Sequence, residues 1–131
     1  MDHLATIKEY LAAIESGATN EVLEKYYAVD VQQIEYPNRL VPKGVTRTLN
    51  DLKQGAVIGA SIQVSQKFEL QNAIVQGNTA MIEAIWTGTF KMQIGTLKPG
   101  DEMKAYFAQF FEFNEEGKIV RQRNYDCFEP F

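Results

Sequence analysis

The stretch MKAYFAQFFEFNEEGKIVRQRNYDCF, residues 103–128, decides how this chain is read. Met103 to Phe113 reads as a strand, rich in aromatics, whose successive side chains take opposite faces. Asn114-Glu115-Glu116-Gly117 is a turn signal, and a second strand runs from Ile119 to Phe128. The pair predicts an antiparallel hairpin. A loop of two residues or of four gives the same parity, so the shared faces follow. Phe107, Gln109, Phe111 and Phe113 lie with Val120, Gln122, Asn124, Asp126 and Phe128. Tyr106, Ala108, Phe110 and Glu112 lie with Ile119, Arg121, Arg123, Tyr125 and Cys127.

Neither face is purely apolar. The first is a phenylalanine floor with an Asp, an Asn and two Gln set into it, the lining that a small-molecule site needs. The second mixes aromatics with arginines, which suits a protein interface.

Upstream of the hairpin the two-residue period continues. Ile62, Val64, Phe68, Leu70 and Ile74 alternate with polar residues, Gly77-Asn78 turns the chain, and a long strand is predicted over about 79–94. Lys98-Pro99-Gly100-Asp101 turns it again. The N-terminal third has the helical period instead. Leu4, Ile7, Leu11 and Ile14 mark a first helix that Gly17 stops. Thr19 offers a cap for a second helix with Val22, Leu23, Tyr26 and Tyr27 on its apolar side. A short strand is expected over Val31 to Tyr36, ended by Pro37. Thr46 or Thr48 offers the cap of a third helix through about Ile58, with Leu49, Leu52 and Ala56 inward. Gly55 and Gly59 weaken that helix by about 1 kcal/mol each relative to Ala and leave room for a neighbouring backbone. Helices first and a strand meander after them predict an α+β domain with helices packed on one face of one sheet.

Composition sets the outer bounds. The 131 residues make one domain, 1–131, large enough to bury a core without disulfide or metal. A net charge of −4 with dispersed lysines and arginines argues against a nucleic-acid partner. Cys127 is the only cysteine, so no intrachain disulfide forms, and a reducing cytoplasm is the expected location. No apolar run reaches the length of a membrane span. His3, the only histidine, sits near the N-terminus without partners at ligand spacing, so no metal is expected. No Gly-rich phosphate loop follows a strand, and no cofactor is expected. Cys127 is read as a small packed hydrophobe.

The segment FFEFNEEGKIVRQRNYD, from Phe110 to Asp126, resembles the C-terminal hairpin of SnoaL-like proteins in the nuclear transport factor 2-like superfamily. The order of helices, the strand ended by Pro37, and Gly44 ahead of the third helix fit that resemblance. It implies three N-terminal helices packed in a strongly curved mixed or antiparallel sheet that forms a cone, commonly as a homodimer. It does not imply one activity, since the superfamily includes cyclases, isomerases, dehydratases, epoxide hydrolases and proteins that only bind.

Two templates of the superfamily bear on the site. In SnoaL-like cyclases a last-strand aspartate is the acid/base and a histidine on the preceding strand assists. Asp126 falls at the first position and Gln109 near the second, so the His/Asp pair is absent. In the isomerases a base on an early strand faces a Tyr/Asp oxyanion hole, and Glu35 and Tyr36 are the nearest candidates.

Asp126 is thus the candidate catalytic group. A carboxylate among aromatics loses hydration, and its pKa should rise into the working range of a general acid or base. The competing role is an anchor for backbone amides or Arg47. Gln109 and Asn124 could donate to a ligand carbonyl or enolate oxygen, or bond each other. Trp86, Phe107 and Phe111, with Tyr106, either line the cavity or fill the core. The expected function is a small-molecule pocket protein, a cofactor-free isomerase, cyclase or dehydratase acting on an apolar carbonyl compound. The alternative is a non-catalytic ligand-binding or protein-interaction module. A hydrolase in which Asp126 activates water would need Glu35 or Arg47 beside it. Tyr106, Phe110, Ile119 and Tyr125 on the second face predict a homodimer interface.

Overall fold

The computed structural model describes all 131 residues, 1–131. Helix α1 runs His3–Glu15. The Asp2 carboxylate caps it by accepting from the Ala5 amide at 2.9 Å. Its inward side buries His3, Ile7, Tyr10 and Leu11. Gly17, at φ +80°, ends the segment where only glycine is unstrained. A 3-10 helix then covers Asn20–Lys25, and Thr19 makes no side-chain cap.

The expected second α-helix is therefore shorter and of another type. Its predicted apolar residue Tyr27 opens strand β1, Tyr27–Glu35. The sheet takes Tyr27 because it pairs with Ile119, whose amide donates to the Tyr26 carbonyl at 2.7 Å. A strand β2, Val45–Arg47, pairs antiparallel with β1, and helix α2 follows over Leu49–Ile62. Thr48 begins it with a full capping box: its hydroxyl accepts from the Asp51 amide while the Asp51 carboxylate accepts from the Thr48 amide. Nothing lies within 4 Å of where a Cβ would stand on Gly55 or Gly59, so no backbone uses the room left there.

Four long strands complete the chain: β3 Gln63–Gln76, β4 Thr79–Phe90, β5 Glu102–Phe113 and β6 Ile119–Phe128. The sheet order is β2-β1-β6-β5-β4-β3. Every neighbouring pair is antiparallel except β1 with β6, which is parallel. Strand β4 stops at Phe90, short of the predicted Ile94, which forms an isolated bridge with Leu97 in the loop to β5.

The hairpin registers Phe107 with Asp126, Gln109 with Asn124 and Phe111 with Gln122, the predicted parity. A bulge between Glu112 and Phe113 then brings Ile119, not Val120, opposite Phe113. Ile119 is fully buried and is not part of the outer face. Bulges in β3 break its simple alternation in the same way. Phe68 and Leu70 face inward, whereas Val64 and Ile74 are exposed at 62% and 64%.

The concave face is divided into layers. Under α1 and the 3-10 helix lies the main core, with Ile7, Leu23, Val31, Ile82, Phe111 and Ile119. At the other end a second cluster holds Trp86, Met103 and Ala105 with Phe107, Phe128 and Phe131 packed against them. Each fully buried large side chain is worth about 2 kcal/mol of hydrophobic transfer. Polar residues of β1, β5 and β6 lie between the two clusters.

Candidate functional site

Strand parity places Gln33 and Glu35 of β1 beside Gln122 and Asn124 of β6, and Asn124 in turn beside Gln109 of β5. Asp126 follows two residues on, opposite Phe107. Gln33, Gln109, Gln122 and Asn124 are all buried, so their polar atoms must find partners inside the fold.

Most do. Tyr10 and Tyr27 share a hydroxyl–hydroxyl bond of 2.6 Å, and the Tyr10 hydroxyl also donates to Gln122 Oε1 at 3.4 Å. Gln33 Nε2 donates to the same Gln122 oxygen at 3.2 Å, and Gln122 Nε2 donates to Asn124 Oδ1 at 3.0 Å. Arg47 Nη1 donates to Glu35 Oε1 at 2.6 Å and to Gln33 Oε1 at 3.4 Å. Asn38 Nδ2 holds the other Glu35 oxygen at 2.7 Å. Three buried side-chain atoms are left without partners: Gln109 Oε1 and Asp126 Oδ1 in this layer, and His3 Nδ1 in α1.

Burial pushes the Asp126 carboxyl up to about 7; the Glu35 charge adds to the rise and Arg47 opposes it. The arginine is committed to Glu35 and Gln33, so it does not anchor Asp126. Burial also raises Tyr10, and raises Tyr27 further, so both stay neutral donors. A cavity of about 280 Å³ opens between α1, α2 and β1. Tyr10, Tyr27, Gln33, Arg47, Asp51 and Leu52 are among its lining residues. Asp126 is not, and neither is Glu35; of the two charges that shift Asp126, only Arg47 lines the cavity.

The other residues singled out in the sequence divide by position. Phe107 and Trp86 stack on the concave face with ring centroids 5.6 Å apart, and the Trp86 indole donates to Gln66 Oε1 at 3.0 Å. Phe111 is fully enclosed in the main core against Tyr10 and Phe113. Tyr36, beyond the end of β1, leaves the concave side and stacks on Tyr125 of the outer face at 4.8 Å. Tyr106 is also outward, 46% exposed, and so neither lines the inner cavity nor fills the core. Cys127, expected to be packed, is exposed on that same face because strand parity opposes it to Tyr106. His3 is buried rather than terminal in character, stacked on Phe113 at 4.1 Å.

Sequence reasoning missed Gln33 and the Tyr10–Tyr27 pair. The signal for Gln33 was its place between Val31 and Glu35 on one strand face. Nothing local marks the tyrosine pair, whose members come from different elements.

The sequence matches the family model of the SnoaL-like domain over residues 7–122. Among curated proteins none matches it. Solved structures share the fold at low identity. IdmH of Streptomyces antibioticus, for which polyketide cyclase is the suggested activity, is 17% identical; the match covers 96% of this chain and 92% of IdmH, with a TM-score of 0.78. AclR of Streptomyces galilaeus, a suggested hydroxylase, is 15% identical over 98% of this chain and 81% of AclR, with a TM-score of 0.77. A protein of ketosteroid isomerase-like fold from Catenulispora acidiphila, solved with trimethylamine, is 17% identical over 92% of this chain and 83% of its own, at 0.71. These likenesses carry the fold alone. With the curved sheet, the helices on its concave side and a family match across nearly the whole length, the chain belongs to the SnoaL-like domain family, in the nuclear transport factor 2-like fold.

Proposed function

We propose that the concave face is a small-molecule site that moves protons without a cofactor, as an isomerase, cyclase or dehydratase of an apolar carbonyl compound. Asp126 is the acid/base. The observation that carries this reading is its unpartnered buried oxygen on a carboxyl raised to about 7. Such a group is part ionised at neutral pH, so it can take a proton next to a carbonyl and return it elsewhere. Gln109 and Asn124 lie next to Asp126 on the same face, where an amide N–H could hold an enolate oxygen. Trp86 and Phe107 supply the apolar wall, and Glu35 with Arg47 sets the electrostatics around the carboxyl.

The test is hydrogen exchange next to the carbonyl of 2-tetralone in deuterated buffer, followed by NMR. The protein should accelerate exchange, with a rate that rises through pH 7, and Asp126→Asn should abolish the acceleration. No acceleration, or an unaffected Asn variant, would remove the catalytic assignment.

The second reading is a non-catalytic binding module. It is favoured by the cavity of about 280 Å³, whose lining omits Asp126. Saturable binding of 2-tetralone without exchange would select it. In either reading we propose a homodimer through the outer face of the sheet, where Tyr106, Tyr125 and Cys127 border a groove of about 440 Å³. No helix is long and apolar enough to cross a membrane.

A further inference from the structure

Residues 129–131 lie beyond the last strand, and the acid/base reading makes no use of them. The Glu129 amide donates to the Lys104 carbonyl at 2.9 Å, and the Tyr106 hydroxyl donates to Glu129 Oε2 at 2.7 Å. After Pro130 the chain puts Phe131 over the second apolar cluster. Its ring meets Phe128 edge-on at 6.0 Å, and Phe128 meets both Phe107 and Trp86 in the same way.

Two loops from elsewhere hold Phe131 in place. From the β1–β2 loop, Arg39 Nη2 donates to the Phe131 carbonyl at 2.9 Å, with its guanidinium 5.1 Å from the ring centre. From the β4–β5 loop, Gly95 comes so close that a Cβ there would stand 2.8 Å from the Phe131 carbonyl carbon. Phe131 belongs to no strand, so its release breaks no sheet ladder. The bonds from Arg39 are made near the surface, where water competes with them.

The cluster that Phe131 covers adjoins the two unpartnered acceptors. Phe107 pairs with Asp126, and Gln109 is the next inward residue of β5 after Phe107. Gln109 is only 5% exposed, yet its Oε1 accepts from nothing. Buried acceptors are normally satisfied, and two neighbouring ones left open point to a donor that arrives from outside. An apolar wall of stacked rings selects a flat ring system, and open acceptors select one that carries a hydroxyl.

We propose that the Phe131 ring is a displaceable plug, and that the molecule displacing it is a flat aromatic compound bearing a hydroxyl, a phenol or an enol, whose O–H satisfies Gln109 Oε1 or Asp126 Oδ1. The inference rests on reading the concave face as a small-molecule site and adds the class of ligand and the residue that guards it. The Phe131 ring stands where the ligand's ring stacks, so the free protein must open before it binds, and apparent affinity falls by the fraction that is open.

Trp86 is the only tryptophan, so its emission reports on the cluster without ambiguity. The probes are 2-naphthol and, without the hydroxyl, naphthalene, titrated against the full chain. Phe131→Ala should bind 2-naphthol about tenfold more tightly than the parent protein. Arg39→Ala, which leaves every core side chain in place, should shift affinity in the same direction and carries the test if Phe131→Ala does not fold. In each protein naphthalene should bind about tenfold more weakly than 2-naphthol, since it leaves the acceptors open, and Gln109→Met should narrow that gap. Unchanged or weaker 2-naphthol binding in the plug variants would make Phe131 a fixed part of the wall and overturn the proposal. Equal affinity for the two probes would overturn the ligand class. The catalytic reading is judged separately by Asp126-dependent exchange: tighter binding without such exchange leaves the plug standing and removes the catalysis.

Discussion

Asp126 has a carboxyl raised to about 7, against an ordinary value near 3.8, mainly because burial disfavours its ionised form. Between those values the folded chain keeps a proton that the unfolded chain has released, so stability falls as pH rises from about 4 to about 7 and then levels off. For a group that retains some contact with solvent, the total cost is roughly 3 kcal/mol. Asp126→Asn has no such titration. It should unfold at higher urea than the parent at pH 8 and show a flatter pH dependence between 4 and 7. Urea midpoints measured across that range check it, and a variant destabilised at pH 8 would make the carboxylate structural. The neighbouring charges give a second expectation. Glu35 pushes Asp126 up and Arg47 pulls it down. In a carboxyl carbon NMR titration, Glu35→Gln should therefore lower the Asp126 midpoint and Arg47→Met should raise it.

At the scale of elements, helix α2 has the best-defined start in the chain. None of its residues is fully buried, so local capping matters more to it than packing does. Thr48→Ala removes the acceptor for the Asp51 amide and half of the capping box. A loss of about 1 kcal/mol in urea unfolding is expected, and no loss would mean that the contact with β1 alone sets the start of α2. The strands depend instead on register. In β3 and at the end of the β5–β6 hairpin, single bulges move side chains between faces. That is why Val64 and Ile74 point outward, and why Ile119 lies in the core while Val120 does not.

At the scale of the molecule, the outer face of the sheet carries Tyr106 at 46% and Tyr125 at 42% exposure, with Tyr36 stacked on the latter. Arg123 lies over Phe110 at 4.4 Å and reaches Glu112 at 3.5 Å, an arrangement of aromatics with Arg common in interfaces. Sedimentation at micromolar concentration should give a dimer, and Tyr125→Glu should shift it toward monomer by at least about tenfold in dissociation constant. A parent protein that sediments as a monomer would leave this face without a partner copy.

The sequence by itself determined the class of fold. A two-residue period with an even loop predicts that Phe107, Gln109, Asn124 and Asp126 share a face, and they do. The strands are nevertheless joined by the odd run 114–118, and the bulge at Glu112/Phe113 restores that parity. The sequence also determined α1 and narrowed the cap of α2 to Thr46 or Thr48, because both rest on contacts within four residues; the structure selects Thr48. The tertiary structure alone decided the rest. Tyr27 suits helix and strand equally, and it became a strand residue only through pairing with Ile119. The bulges leave no local mark, since one extra residue in a strand looks like any other alternation until its partner is placed. The polar layer needed the parallel pairing of β1 with β6, which sets Gln33 beside Gln122 across 89 positions of sequence. Its effect on Asp126, through Glu35 and Arg47, is a matter of charge and burial in three dimensions. No period or motif along the chain encodes that distance.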